Sequence, residues 1–90
     1  MAKKRERLEI IYDILRIIHD NRNKIKITPL LRYSNLSSQS FYEYYNELLE
    51  KNLIIENNDK KRKLISLTDK GFKYIEKYKY IIEFIEDFEL

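Results

Sequence analysis

Ninety residues suffice for one domain with a single core burying roughly 60 to 65 % of the unfolded chain's surface, so modest stability is expected and a dimer would raise it. The absence of cysteine removes disulfides, thiolate metal sites and cysteine nucleophiles together, and one histidine with one glycine supplies neither a metal-ligand spacing nor a glycine-rich phosphate loop. A net charge of +3 and a pI near 9.0 are too mild to name a partner, so the placement of the charges must be read along the chain.

Lys3, Lys4, Arg5 and Arg7 open the chain as a basic arm. The apolar run that follows imitates a signal peptide, but Glu9, Asp13 and Arg16 interrupt it, which predicts a soluble, intracellular protein located in the cytoplasm. From Arg5 to about Asn21 the pattern is that of a first helix. Leu8, Ile11, Leu15 and Ile18 share one face, and Ile10, Ile14 and Ile17 widen it enough to be gripped on two sides. Either Asn21 or Asn23 ends it. Lys24 to Ile27 alternates charged and apolar residues and predicts a short edge strand. Thr28 and Pro29 then mark a helix start, threonine as cap and proline in the first helical position. This second helix runs from Pro29 to Tyr33 or Ser34, with Leu30 and Leu31 inward. Ser34-Asn35-Leu36 forms a tight turn, and two helices joined so closely must cross steeply.

The stretch from Asn35 to Ile54 contains a third helix, with Ser37 as its N-cap and Leu36 and Phe41 placed as a hydrophobic staple. Phe41, Tyr44, Tyr45, Leu48 and Leu49 make an apolar stripe that must face a core. Ser38, Gln39, Tyr42, Glu43 and Asn46 are left outward. Asn52 stops the helix, because asparagine tolerates the left-handed backbone of a C-terminal cap. Leu53–Glu56 and Lys63–Leu67 are strand-forming runs around Asn57 to Arg62, where asparagine and aspartate can supply the positive φ of a hairpin. Lys60, Lys61, Arg62 and Lys63 make its tip basic. Thr68 caps a last helix with Asp69 in its first turn, and the apolar pattern continues almost to Leu90. The order helix, strand, helix, helix, hairpin, helix is that of a winged helix-turn-helix domain, mainly α with a small β-hairpin.

That order gives the polar residues a chemistry. Gln39 and Asn46 carry amides able to bond adenine bidentately, and Ser38 suits any base edge; the alternative is ordinary solvated surface. Ser37 with the free amides behind it either binds a phosphate or only caps the helix. Arg32 and Tyr33 are also placed to hold phosphate, although Tyr33 fits a core equally. Glu43 either accepts from cytosine N4 or pairs with Lys51 or a wing lysine, and Glu47 and Glu50 lie beyond the groove. So acidic a helix contributes specificity more than affinity, which then comes from the wing and the N-terminal arm. The acidic residues near the C-terminus face no partner base, so catalysis is not expected, nor is any metal or cofactor. A protein-interaction module, with the eight tyrosines as hot spots, is the competing reading.

RERLEIIYDIL, RYSNLSSQSFYEYYNELLEKNLI and KLISLTDKGFKYIE resemble the small archaeal winged-helix DNA-binding proteins that dimerise through a long C-terminal helix. The resemblance covers nearly the whole chain and departs at Asn52, where glycine is usual, and in a wing without glycine. It implies double-stranded DNA as partner, for a transcription regulator or chromatin-like protein. By the same resemblance Ser37, Ser38, Gln39, Tyr42 and Glu43 occupy the groove-facing part of the third helix, and Lys60, Lys61 and Arg62 the wing tip. Residues 1–71 would form the DNA-binding domain and 72–90 the dimerisation helix. On that helix Tyr74, Tyr78, Ile81, Ile85 and Phe88 recur with the a/d spacing of a coiled coil, while Phe72 and Ile75 lie off the seam and are expected to pack on the winged domain. A homodimer related by a two-fold axis, most simply antiparallel, is therefore expected; the alternative is a helix folded back on its own domain.

Overall fold

A computed structural model describes residues 6–90, so Lys3, Lys4 and Arg5 of the expected basic arm lie outside the described residues. The elements follow as α1 (Arg7–Asp20), α2 (Ile27–Ser34), α3 (Ser38–Glu50), β1 (Ile54–Asp59), β2 (Arg62–Leu67) and α4 (Asp69–Asp87). The mainly helical winged fold read from the sequence is the fold observed. Its core gathers Ile14, Leu15 and Ile18 of α1, Leu30 of α2, Phe41 and Leu48 of α3, and Ile54 and Ile65 of the hairpin, each with at most 1 % exposure, and α4 adds Ile75. Each such side chain contributes about 1.5–3 kcal/mol by leaving water, an upper figure since the unfolded chain already hides some of that surface. Leu8, expected in the core, is half exposed instead, because α1 is covered on the turn that starts at Ile11 and not on its first turn.

The helix ends show why α1 and α3 stop where they do. At the end of α3 the Leu53 amide bonds the Leu48 carbonyl at 2.9 Å and the Asn52 amide bonds that of Leu49 at 3.1 Å, with Asn52 at φ 61°. This pair of bonds closes the orphan carbonyls and turns the chain directly into β1. The end of α1 repeats it, Asn23 bonding Ile18 at 3.0 Å and Arg22 bonding His19 at 3.2 Å, so the left-handed stop falls on Arg22 and Asn23 while Asn21 is still only the cap.

Two local expectations are corrected. The edge strand over Lys24–Ile27 shrinks to a single bridge, Ile25 to Ile65, because Ile27 already begins α2. For the same reason Thr28 is not the cap. Lys26 holds that position without a side-chain bond, and Pro29 sits within the first turn, where its missing N–H costs nothing.

Candidate nucleic-acid interface

The turn between α2 and α3 is built from short polar side chains. Asn35 takes φ 59°, the Ser34 hydroxyl donates to the Leu31 carbonyl at 2.6 Å, and the Leu36 amide donates back to Ser34 Oγ at 3.3 Å. Ser37 then caps α3, its Oγ accepting from the Ser40 amide at 3.2 Å. From this fixed start the apolar stripe turns inward: Phe41, Tyr45 and Leu48 are buried, with Tyr44 and Leu49 partly so. Ser37, Ser38, Gln39, Tyr42, Glu43 and Asn46 are all exposed. They are thus brought together on one rigid helix. Arg32 is exposed with its guanidinium 5.8 Å over the Tyr33 ring, and Tyr33 is 56 % exposed, which removes it from the core. Tyr33 lies beside Asp13, Arg16 and Asp20 of α1.

The hairpin is tighter than its sequence suggests. Asp59 pairs with Arg62, leaving Lys60 and Lys61 as a two-residue turn with φ 48° and 67°. Both central residues of this turn type need positive φ, which asparagine and glycine supply readily and lysine does not. The expected source of positive φ, Asn57 to Asp59, is instead strand. Arg62 stands 3.8 Å from Asp59 and Lys63 3.8 Å from Glu56, all at the surface, where such pairs are weak. Among the described residues Lys60 and Lys61 have no ion-pair partner. Within the hairpin, the cations without an ion pair are therefore those with the unfavourable backbone.

Helix α3 and the wing are joined directly. Alternation along the strands puts Ile54, Glu56 and Asn58 on one face with Leu67, Ile65 and Lys63. Here the Tyr45 hydroxyl donates to the Glu56 carboxylate, and burial, with that bond in support, pushes the Tyr45 phenol far above its ordinary range. On the opposite face Ser66 Oγ donates to the Asn23 carbonyl at 2.7 Å. Sequence reading placed Tyr45 in the core and left Glu56 without a role. Two signals pointed to the pair: a tyrosine on a buried stripe needs a partner for its hydroxyl, and period two puts Glu56 on the face of Ile54.

The acidic residues of α3 divide. Glu47 accepts from Arg7 and, at 2.8 Å, from Lys51, and these bonds hold its carboxyl at about 2 while raising the Arg7 guanidinium. Lys51 is thereby committed to Glu47 and Lys63 to Glu56, and Glu43 has no ion pair among the described residues. Arg7 leaves the basic arm's charge count but fastens the start of α1 to α3.

On α4 the expected seam splits in two. Tyr74 donates to the Leu8 carbonyl at 2.8 Å, and Tyr78 packs 4.7 Å from Tyr12, so both lie against α1 of the same chain. Burial, with Tyr78 alongside, moves the Tyr74 phenol up to about 12. Ile75 is buried as expected, whereas Phe72 is 39 % exposed, its ring in a T-shaped contact with His19. Ile81, Phe84, Ile85 and Phe88 are 42 to 64 % exposed and form an uncovered apolar stripe. No helix among the described residues is long and apolar enough to cross a membrane.

The chain is similar to solved proteins of the same architecture. Sso10a-2, a DNA-binding protein from Sulfolobus solfataricus, superposes with a TM-score of 0.77 at 22 % identity, over 94 % of this chain and 86 % of that one. F93 from STIV, a winged-helix DNA-binding protein, gives 0.75 at 21 % identity, over 89 % and 92 %. SSV1 F-93 gives 0.71 at 23 % identity, over 98 % and 99 %. No curated protein sequence matches the chain. The family model for winged helix-turn-helix matches residues 4–86, and with helix, turn, helix and hairpin in the order just described, the chain belongs to the winged helix-turn-helix family.

Proposed function

We propose that the protein binds double-stranded DNA, as a transcription regulator or chromatin-like protein, with α3 in the major groove and the wing tip on the backbone or minor groove. The observation that carries this reading is the junction of a capped helix, polar on its outer face, with a hairpin whose tip presents unpaired lysines. Gln39 and Asn46 have the chemistry to read adenine, Ser38 either kind of edge, and Glu43, free of an ion pair among the described residues, the cytosine amino group. Tyr42 and the cap Ser37 with its free amides flank the groove, and Arg32 and Tyr33 are phosphate contacts, together with Lys3, Lys4 and Arg5 of the arm. Lys60 and Lys61 supply affinity blind to sequence, with Arg62 beside them. Two of the solved proteins of the same architecture, Sso10a-2 and F93, are DNA-binding proteins, which supports the same reading.

Residues 72–90 serve pairing. The stripe of Ile81, Ile85 and Phe88 is too large an apolar surface to leave in water on a small monomer. Beside it Leu8, Tyr74, Tyr78 and Ile81 line an apolar hollow of about 140 Å³, room for a side chain of a second helix. Tyr74 and Tyr78 then border the seam while fixing α4 to α1. Residues 69–79 carry Lys70, Lys73, Lys77 and Lys79 against Asp69 and Glu76, and residues 83–89 carry Glu83, Glu86, Asp87 and Glu89 with no cation, so antiparallel pairing of two copies sets opposite net charges together. The homodimer presents two recognition helices to major grooves about 34 Å, or a multiple of it, apart.

The test is a salt titration of DNA binding by the whole protein. Affinity should fall steeply as salt rises, and Gln39→Ala should shift preference among sites by about 1–3 kcal/mol at one base pair. Salt-insensitive capture of partners with no duplex binding would favour the protein-interaction module instead. Sedimentation of the Ile81→Asp, Ile85→Asp protein beside the unaltered one tests the pairing; an unaltered protein that is monomeric at micromolar concentration would refute it.

A further inference from the structure

We infer that the Tyr45–Glu56 hydrogen bond sets the angle of the wing to the recognition helix, which makes both residues positioning residues for DNA binding. The inference rests on the DNA-binding reading above. β1 is buried only at Ile54, so from Ile55 outward the strand leaves the body of the domain. Glu56 lies one step beyond Ile54 on the inner face, and no hydrogen bond or ion pair among the described residues links α3 to the hairpin farther out. The wing is thus a lever hinged at its base, and this bond stays it on the α3 side. Ser66 and Asn23 hold the other side.

The anchored end is rigid. Tyr45 is 3 % exposed and its ring stacks on Phe41 with centroids 5.7 Å apart, so its hydroxyl has one direction in which to donate. The other carboxylate oxygen of Glu56 faces Lys63 at 3.8 Å, which brings the base of the basic tip into the same network. Because Tyr45 sits on the inner stripe of the helix whose outer face carries Gln39 and Asn46, any rotation of α3 in its groove is transmitted to the wing. Base reading and backbone contact are thereby held in one register.

The clasp can be removed without a cavity or a new charge. Tyr45→Phe keeps the ring and its stacking, and Glu56, with a third of its side chain in water, is left solvated. Glu56→Gln and Glu56→Ala lose the same negative charge, but only glutamine can still accept from the phenol. Tyr45→Phe is expected to bind duplex DNA about tenfold more weakly than the unaltered protein at low salt, and Glu56→Ala about tenfold more weakly than Glu56→Gln, each with a salt slope shallower by about one, one phosphate contact's worth. Without DNA, the amides of residues 57–63 should exchange faster in Tyr45→Phe and Glu56→Ala and normally in Glu56→Gln. Tyr45→Phe with unaltered slope and unaltered exchange would overturn the proposal. If the unaltered protein bound no duplex, the functional reading would fall while the exchange comparison still decided for or against the clasp.

Discussion

At the base of the hairpin Asn52 takes φ 61°, and at its tip Lys60 and Lys61 take φ 48° and 67°. The backbone demand is the same and the residues that meet it are not. Asn52 tolerates the left-handed region, and its carbonyl accepts from the Thr68 hydroxyl at 2.6 Å, so α3, β1 and α4 meet at a point where geometry decides the residue. Gly71 belongs to that junction: a Cβ there would come within 2.3 Å of the Leu53 carbonyl oxygen. At the tip nothing packs, and lysines occupy a turn that would be more comfortable with Asn-Gly. On the proposed DNA-binding reading, a local rule broken by exposed cations without an ion pair is a conformational cost borne for charge.

The comparison breaks most visibly at Gly71. Gly71→Ala must displace backbone, since the clashing atom is a carbonyl in a closed helix stop, and thermal unfolding should show a loss of about 1–3 kcal/mol or more. A stability unchanged within error would mean that the base of the wing is loose. Asn52→Ala should cost about 1 kcal/mol by forcing a Cβ-bearing residue without asparagine's tolerance into the same φ, and Asn52→Gly should be neutral or stabilising. The reverse sign is expected at the tip, where Lys60→Asn with Lys61→Gly should raise stability by several tenths to 1 kcal/mol. The smallest effect belongs to Glu47. Its carboxyl is held at about 2 against an ordinary 4.5, so its contribution to stability is complete above pH 4.5 and is lost as the pH falls towards 2. Glu47 is only half-buried and its partners Arg7 and Lys51 are exposed, so the gain is screened. The melting temperatures of the unaltered protein and Glu47→Gln should differ slightly at pH 6 and converge near pH 2; a gap that widened in acid would contradict the assigned bonds.

Much of this was legible in the chain. Ser37, Thr68 and Asn52 announced their caps because each acts within a few residues of itself, and the stripe from Phe41 to Leu49 announced its burial through period alone. What escaped was decided over longer distances. The chain passes straight from the bridge of Ile25 to Ile65, forty residues on, into α2 at Ile27, a juxtaposition that the local Thr-Pro signal does not report. The seam on α4 was read as continuous because spacing cannot say that Tyr74 and Tyr78 find Leu8 and Tyr12 of their own chain. The hairpin's two-residue turn escaped because lysine is not a turn residue. Of the site, the outward face of α3 was readable from the same period as its core, whereas the Tyr45–Glu56 tie needed the fold to bring it together.

The measurement that tests the account most directly is a salt titration of duplex DNA binding with Lys60→Asn, Lys61→Gly beside the unaltered protein, with thermal stability read on the same samples. Two lost phosphate contacts should flatten the slope by about 2 and weaken all sequences alike, while the melting temperature rises. Unchanged affinity and slope in the more stable protein would contradict the assignment of the strained lysines to DNA.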